Sequence, residues 1–287
     1  MNRNFLKILI VLWSLIALFF TGLLLYGITS GQRSALWNFP VRFGSLSIQK
    51  EEEASVNNCE KIYLDFSSEN VEVSPSRETT LKVVQEARGT LKESEKFVLS
   101  NSGNTIEISK SNSWVNLNLF RAQEIKIKLY IPESYNKDLE IITTSGNIDY
   151  NSDTELNAIN LKTTSGNITA SNLKIKSYNI ESTSGNIKAS SISGSGYAKS
   201  TSGNIKMTYI EILNEANVSS NSGNLDLSAA KGMSFEFHGK SSSGNIKSNL
   251  DLNYKNQNGT EAVVTVGEGP YKKINASSSS GDIKITD

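Results

Sequence analysis

The side chains that could do chemistry are few in kind: one histidine, one cysteine, and many serines and threonines. His238 sits between Phe237 and Gly239, so any histidine-based triad has a single candidate base. The alternation around it predicts a strand with Phe237 inward and His238 in solvent. Cys59 stands alone, which rules out an intrachain disulfide and zinc-ligand spacing. The serines recur in identical words, and a nucleophile is needed once, whereas a structural ladder is needed in every copy. Calcium-binding solenoid turns carry Gly-Gly-x-Gly-x-Asp; here the matching position is Asn in six copies of seven and a carboxylate only at Asp282. No catalytic, cofactor-binding or metal-ligating residue is therefore assigned, no cofactor is expected, and the chain is expected not to be an enzyme.

The serines point instead to the elements that hold them. Ser-Gly-Asn-Ile recurs around Gly146, Gly166, Gly185, Gly203 and Gly244, with Ser-Gly-Asn-Leu around Gly223 and Ser-Gly-Asp-Ile around Gly281. The glycines lie 20, 19, 18, 20, 21 and 37 residues apart. Two residues after each comes Ile148, Ile168, Ile187, Ile205, Leu225, Ile246 or Ile283. A surface loop has no reason to keep an aliphatic there, so these side chains are expected to line a core. Five and seven residues before glycine the columns are mostly apolar, from Leu139 and Ile141 to Ile274 and Ala276. That spacing of two is strand periodicity. The same count places the Thr or Ser three before glycine and the unbroken serine column, Ser145 to Ser280, inward at a corner. Glycine is expected to supply a positive φ there.

A unit of about 20 residues cannot bury its own inner face, and stacked copies can. The chain is expected to be all-β, a parallel solenoid (β-helix), right-handed because parallel crossovers almost always are. Its regular repeats span 139–287, behind irregular coils and a cap at 58–138 in which Phe66-Ser67-Ser68-Glu69-Asn70-Val71 resembles the corner without its glycine. The double spacing before Gly281 predicts either a coil lacking the motif or a protruding hairpin, and residues 272–286 form the last coil.

Ahead of the repeats, 8–26 is an apolar stretch in which only Ser14, Thr21 and Gly22 interrupt the run from Ile8 to Leu25; those roughly 18 residues make about 27 Å of helix, close to a bilayer's hydrocarbon thickness. It is expected to be one uncleaved transmembrane helix, with 1–7, carrying Arg3 and Lys7, inside the cell and a linker at 27–57 beyond it. The protein is thus expected in the cell membrane, single-pass, with its C-terminal domain extracytoplasmic. A net charge of +0 and a pI near 6.7 give no reason to expect nucleic acid as a partner. Outward positions three after glycine include Lys188 and Lys206 as stacked neighbours, a mildly basic stripe that would suit anionic wall polymers.

Ile127-Lys128-Leu129-Tyr130-Ile131-Pro132, the later Ser-Gly-Asn-Ile copies and the closing Ser279-Ser280-Gly281-Asp282-Ile283-Lys284-Ile285 together resemble the bacterial putative-adhesin β-strand-repeat family, a domain of unknown function that includes LiaG-type envelope proteins. The resemblance covers roughly 58–287. It implies a β-helical extracytoplasmic domain, often behind one membrane helix, with no established activity and no functional residues to carry over. The expected function is a membrane-anchored binding, adhesion or scaffold module of the cell envelope, with cell-wall polymers or an envelope protein as partner and a link to envelope stress sensing. The alternatives are a polysaccharide-active enzyme, which needs a carboxylate cluster in a groove, and a regulatory accessory to a membrane sensor.

Overall fold

The computed structural model describes residues 45–110 and 124–287. The apolar span at 8–26 and most of the expected linker lie outside the described residues. Among the described residues no helix is long and apolar enough to cross a membrane.

The repeats stack as parallel coils, each built from two strands joined by the Ser-Gly-Asn corner. Coil 1 pairs Lys61–Phe66 with Asn70–Ser76, coil 2 Asp138–Thr143 with Ile148–Asn151, and coil 3 Glu155–Thr163 with Ile168–Ser171. Coil 4 runs from Lys174–Ser182 into Ile187–Ser200, coil 5 from there into Ile205–Ser220, and coil 6 from there into Leu225–Ala229. On the first face, Leu139, Ile159, Tyr178, Gly196, Ala216 and Ile274 stand opposite one another in parallel register. On the second face the aliphatics after each glycine do the same, and all seven are at most 2% exposed. The expected dry interior is present.

The order of the coils departs from the order of the chain. Lys272–Ser278 pairs with the end of Ile205–Ser220 on one side and with Phe235–Ser241 on the other. Ile283–Thr286 likewise lies between Leu225–Ala229 and Ile246–Ser248. The C-terminal segment is therefore coil 7, inserted under coil 8 (Phe235–Ser241 and Ile246–Ser248), and is not the end of the stack. The double spacing before Gly281 holds a hairpin, Asn253–Tyr254 with Glu261–Val266, laid antiparallel on Phe235–Ser241. That antiparallel strand covers an edge that a ninth parallel coil would otherwise extend.

At the other end, Ile125–Pro132 pairs parallel with Asn70–Ser76 of coil 1, and Thr80–Arg88 and then Leu46–Ser55 add antiparallel beyond it as a cap. Residues 46–55 were expected within the linker. Their Gln-Lys-Glu-Glu-Glu run conceals the alternation because the strand lies at the sheet edge, where charged side chains discourage further pairing. Glu51 and Glu53 instead meet Lys82 at 2.7 Å and Thr80 at 2.8 Å.

The corner corrects two further expectations. Ser145, Ser165, Ser184, Ser202, Ser222, Ser243 and Ser280 are exposed, whereas the glycine after each is buried. None of those glycines is among the residues with positive φ. Glycine is needed for close approach: a Cβ on Gly166 would collide with the Gly146 carbonyl oxygen, one on Gly185 with that of Gly166, and so on to Gly244 against Gly281. Successive corners touch backbone to backbone, and the chain meets this limit without strained dihedrals.

The hydroxyl three before glycine is inward, as expected. Ser200 Oγ donates to the Gly185 carbonyl at 3.2 Å and accepts the Gly203 N–H at 2.8 Å, so one side chain ties its own corner to the one below. Thr163, Ser182, Ser220, Ser278 and Ser241 repeat the arrangement. Outside, the asparagines form a ladder: Asn147 Oδ1 accepts from the Asn167 N–H at 2.8 Å, and the series runs from Asn70 to Asn245 through Asp282. The expected degenerate corner closes the column, with Glu69 in glycine's place. Its carboxylate, 1% exposed, accepts from Ser67 and Ser68 N–H and meets Lys110 at 3.1 Å.

Candidate functional site: a groove on the first face

The outward side of the first face carries two rows of side chains, one member per rung. The upper row runs Asn179, Tyr197, Asn217, Asn275, His238, with Val263 of the capping hairpin after it. The lower row runs Glu181, Lys199, Ser219, Ser277, Lys240, then Glu261. Over coils 4 to 8 these rows line a groove of about 750 Å³, within the usual range for ligand pockets.

Volume inside the tube explains why the groove lies there. Coils 2 to 4 put Ile141, Leu161 and Ile180 under the first face, whereas coils 5 to 8 put Ala198, Val218, Ala276 and Gly239 at the same position. Small inner residues lie beneath most of the groove, and interiors pack without voids, so a sheet over them needs less room than one over Ile or Leu. At coil 8 the Phe237 ring takes the space beside Gly239, where a Cβ would meet it.

The floor is ordered in advance. Asn275 Nδ2 donates to Asn217 Oδ1 at 3.0 Å and also to the Glu215 carboxylate. Tyr197 projects from the wall 61% exposed, more than any other large apolar or aromatic side chain among the described residues. Among the described residues neither Lys199 nor Lys240 has an ion-pair partner, and Glu181 accepts from Asn179 at 2.7 Å.

His238 faces solvent as expected, with Nε2 3.0 Å from Glu236 Oε1. Among the described residues no serine hydroxyl is hydrogen-bonded to it. The two carboxylates lining the groove, Glu181 and Glu261, are five rungs apart, about 24 Å at a strand spacing near 4.8 Å. Glycoside cleavage by a carboxylate pair works across about 5–9.5 Å. In the neighbouring row Glu215 is bound by Asn275 and Glu236 by His238.

On the second face Lys188 and Lys206 are stacked neighbours, as expected, and Lys206 is drawn to Asp226 at 3.1 Å. Asp282 serves the asparagine ladder, its Oδ1 accepting from the Asn245 N–H at 2.9 Å. Among the described residues no three His, Cys, Asp or Glu side chains converge as metal ligands. Cys59 is buried, its thiol 3.2 Å from the Lys61 carbonyl.

Four buried tyrosines have phenols whose ionisation the fold opposes. Burial raises the pKa of Tyr135, Tyr178 and Tyr209 and pushes Tyr150 up to about 12. Tyr178 and Tyr209 share a hydrogen bond of 3.1 Å inside the tube. The Tyr150 hydroxyl has no partner of good geometry: nearby Ser152 points its own hydroxyl at Thr154, 2.8 Å away.

A family model described as Toastrack DUF4097 matches residues 59–286. The chain belongs to that family. Its match begins at Cys59, so it takes in every coil of this Toastrack chain and leaves Leu46–Ser55 outside. Among solved structures, "a putative cell adhesion protein" from Clostridium sporogenes is 15% identical, covering 84% of this chain and 99% of that one at a TM-score of 0.37. "A putative adhesin" from Bacteroides fragilis is 14% identical over 85% and 98%, with a TM-score of 0.41. A "putative lipid binding protein" from Parabacteroides distasonis is 14% identical over 82% and 96%, with a TM-score of 0.35. A search of curated proteins finds no match.

The groove was missed at the sequence level. Its signal was present in the small residues five before glycine, Ala198, Val218, Gly239 and Ala276, together with an outward tyrosine at 197.

Proposed function

We propose that this chain is a membrane-anchored, extracytoplasmic binding module of the bacterial cell envelope, and that the groove on the first face is its working surface. The groove carries the reading: an exposed aromatic ring and a floor of hydrogen-bonded amides sit together on a backbone already fully paired. Pre-ordered polar groups beside an exposed ring lower the cost of binding a ligand. The apolar span at 8–26 supplies the anchor, and Arg3 and Lys7 ahead of it favour an inside N-terminus.

Two measurements test this reading. Protease added to intact cells expressing the full chain should remove a C-terminal tag while the N-terminus stays in the membrane fraction. Purified full chain in detergent should co-sediment with envelope material. A tag that survives protease until the cells are lysed, or a chain that no envelope fraction retains, overturns the proposal.

A further inference from the structure

We infer that the groove holds a linear, uncharged polysaccharide laid along the tube axis, with one sugar ring on Tyr197 and the next rings over Asn217 and Asn275. The inference rests on the binding-module reading and narrows it to a ligand class.

The first support is that the groove floor offers no free edge. Each strand from Lys174–Ser182 to Phe235–Ser241 is hydrogen-bonded on both sides under the groove, and the bordering Glu261–Val266 is covered at Ala262 and Val263 by Asn253–Tyr254. A peptide cannot add there as a further strand, which is the main-chain route by which sheets take peptides. Whatever binds is recognised by side chains alone.

The second support is what those side chains are. Asn275 spends both amide hydrogens on Glu215 and Asn217 and offers its amide oxygen, Asn217 offers its amide N–H groups, and the hydroxyls of Ser219 and Ser277 each offer a donor and an acceptor. Sugar hydroxyls ask for the same pairing. The exposed Tyr197 ring gives a flat apolar face to the C–H groups of a pyranose. Lys199 and Lys240 are matched in number by Glu261 and by Glu181, which also meets Lys162 at 3.7 Å, so the lining itself carries no formal net charge to select an ion.

The third support is the pitch. Rungs repeat at about 4.8 Å, close to the advance of one pyranose ring along an extended chain. Successive rings therefore meet successive Asn and Ser pairs. The floor amides are already fixed, Asn275 to Asn217 at 3.0 Å, so little ordering cost remains to oppose binding.

Calorimetry on the full chain in detergent tests this with cellohexaose and chitohexaose as neutral probes and a polygalacturonate hexamer as the anionic one. At least one neutral hexasaccharide should bind saturably and more tightly than the anionic one. Tyr197→Ala should weaken binding about tenfold or more, Tyr197→Phe by no more than about threefold since the ring is kept, and Lys188→Ala on the other face not at all. Thermal unfolding of Tyr197→Ala should match the unsubstituted chain. Preference for the anionic probe, no binding of either neutral probe, or binding indifferent to Tyr197→Ala overturns the inference. Co-sedimentation with envelope material separates the two readings: if it persists while both neutral probes fail, the ligand class is wrong and the module stands. If both are lost, both readings fall.

Discussion

Coils 2 to 4 and coils 5 to 8 share one corner and differ in what fills the tube beside it. Both halves carry the glycine contact, the inward hydroxyl and the asparagine ladder. The first half stacks Ile141, Leu161 and Ile180 beneath the first face; the second stacks Ala198, Val218, Ala276 and Gly239 there. The corner tolerates either filling because it is held by backbone contacts and short hydroxyl bridges, which do not depend on the width of the tube. The groove lies over the half with the smaller inner side chains, on a frame that both halves share.

The shared frame should be the most sensitive part. Gly185→Ala drives a Cβ into the Gly166 carbonyl, which neighbours above and below hold in place. Its expected cost is about 4 kcal/mol or more, in the class of overpacking errors with no room to relax, and is read from denaturant unfolding. Gly103→Ala is the control: that glycine has φ +61° with nothing within 4 Å of the added carbon, so only left-handed strain is charged, about 1–2 kcal/mol.

Exchanging the fillings sharpens the contrast between the halves. Ile180→Ala should cost about 2–5 kcal/mol by opening a cavity. Ala198→Ile should cost about 1–3 kcal/mol by overpacking, and it should also push the groove floor outward and weaken ligand binding, which calorimetry would detect.

Alkaline pH separates the interior tyrosines by their partners. An unfolded tyrosine ionises near pH 10, whereas folded Tyr150 is held neutral up to about 12. Between those values the folded chain keeps a proton that the unfolded chain has lost. Its contribution is therefore complete below about pH 10 and declines by about 1.4 kcal/mol per pH unit until about 12. Tyr150→Phe, which removes a hydroxyl without a good partner, should leave neutral-pH stability nearly unchanged and make alkaline unfolding less steep. Tyr178→Phe also breaks the bond to Tyr209, so it should cost about 1 kcal/mol at neutral pH.

The smallest contrast lies within one corner. Ser200→Ala leaves the buried Gly185 carbonyl and Gly203 N–H without their shared hydroxyl, for about 1–3 kcal/mol. Ser202→Ala, two residues on and exposed, should stay within about 0.5 kcal/mol.

These pairs also mark where sequence reading stopped. The aliphatic after each glycine was legible because burial alone explains an unbroken column, and so was the hydroxyl three before it, because strand parity fixes its side. Parity failed one step later: the chain turns between Thr144 and Gly146, so counting by two no longer gives a face and Ser145 emerges outside. The reason for glycine was hidden because a contact between coils leaves no trace inside one repeat. The inserted coil 7 was hidden for a similar reason, since its corner matches those of coils 6 and 8 and spacing cannot say which neighbours it joins. The groove required reading the Ala198, Val218, Gly239 and Ala276 column as a volume as well as a polarity.

Lysine footprinting of the full chain, with and without envelope material, compares the two faces of the same coils in one measurement. Lys199 and Lys240 border the groove, whereas Lys188, Lys284 and Lys247 lie on the second face, past the corner. If the groove is the working surface, acylation of Lys199 and Lys240 falls when envelope material is present and that of the other three does not change. Protection of Lys188, Lys284 and Lys247 with Lys199 and Lys240 still reactive would contradict it.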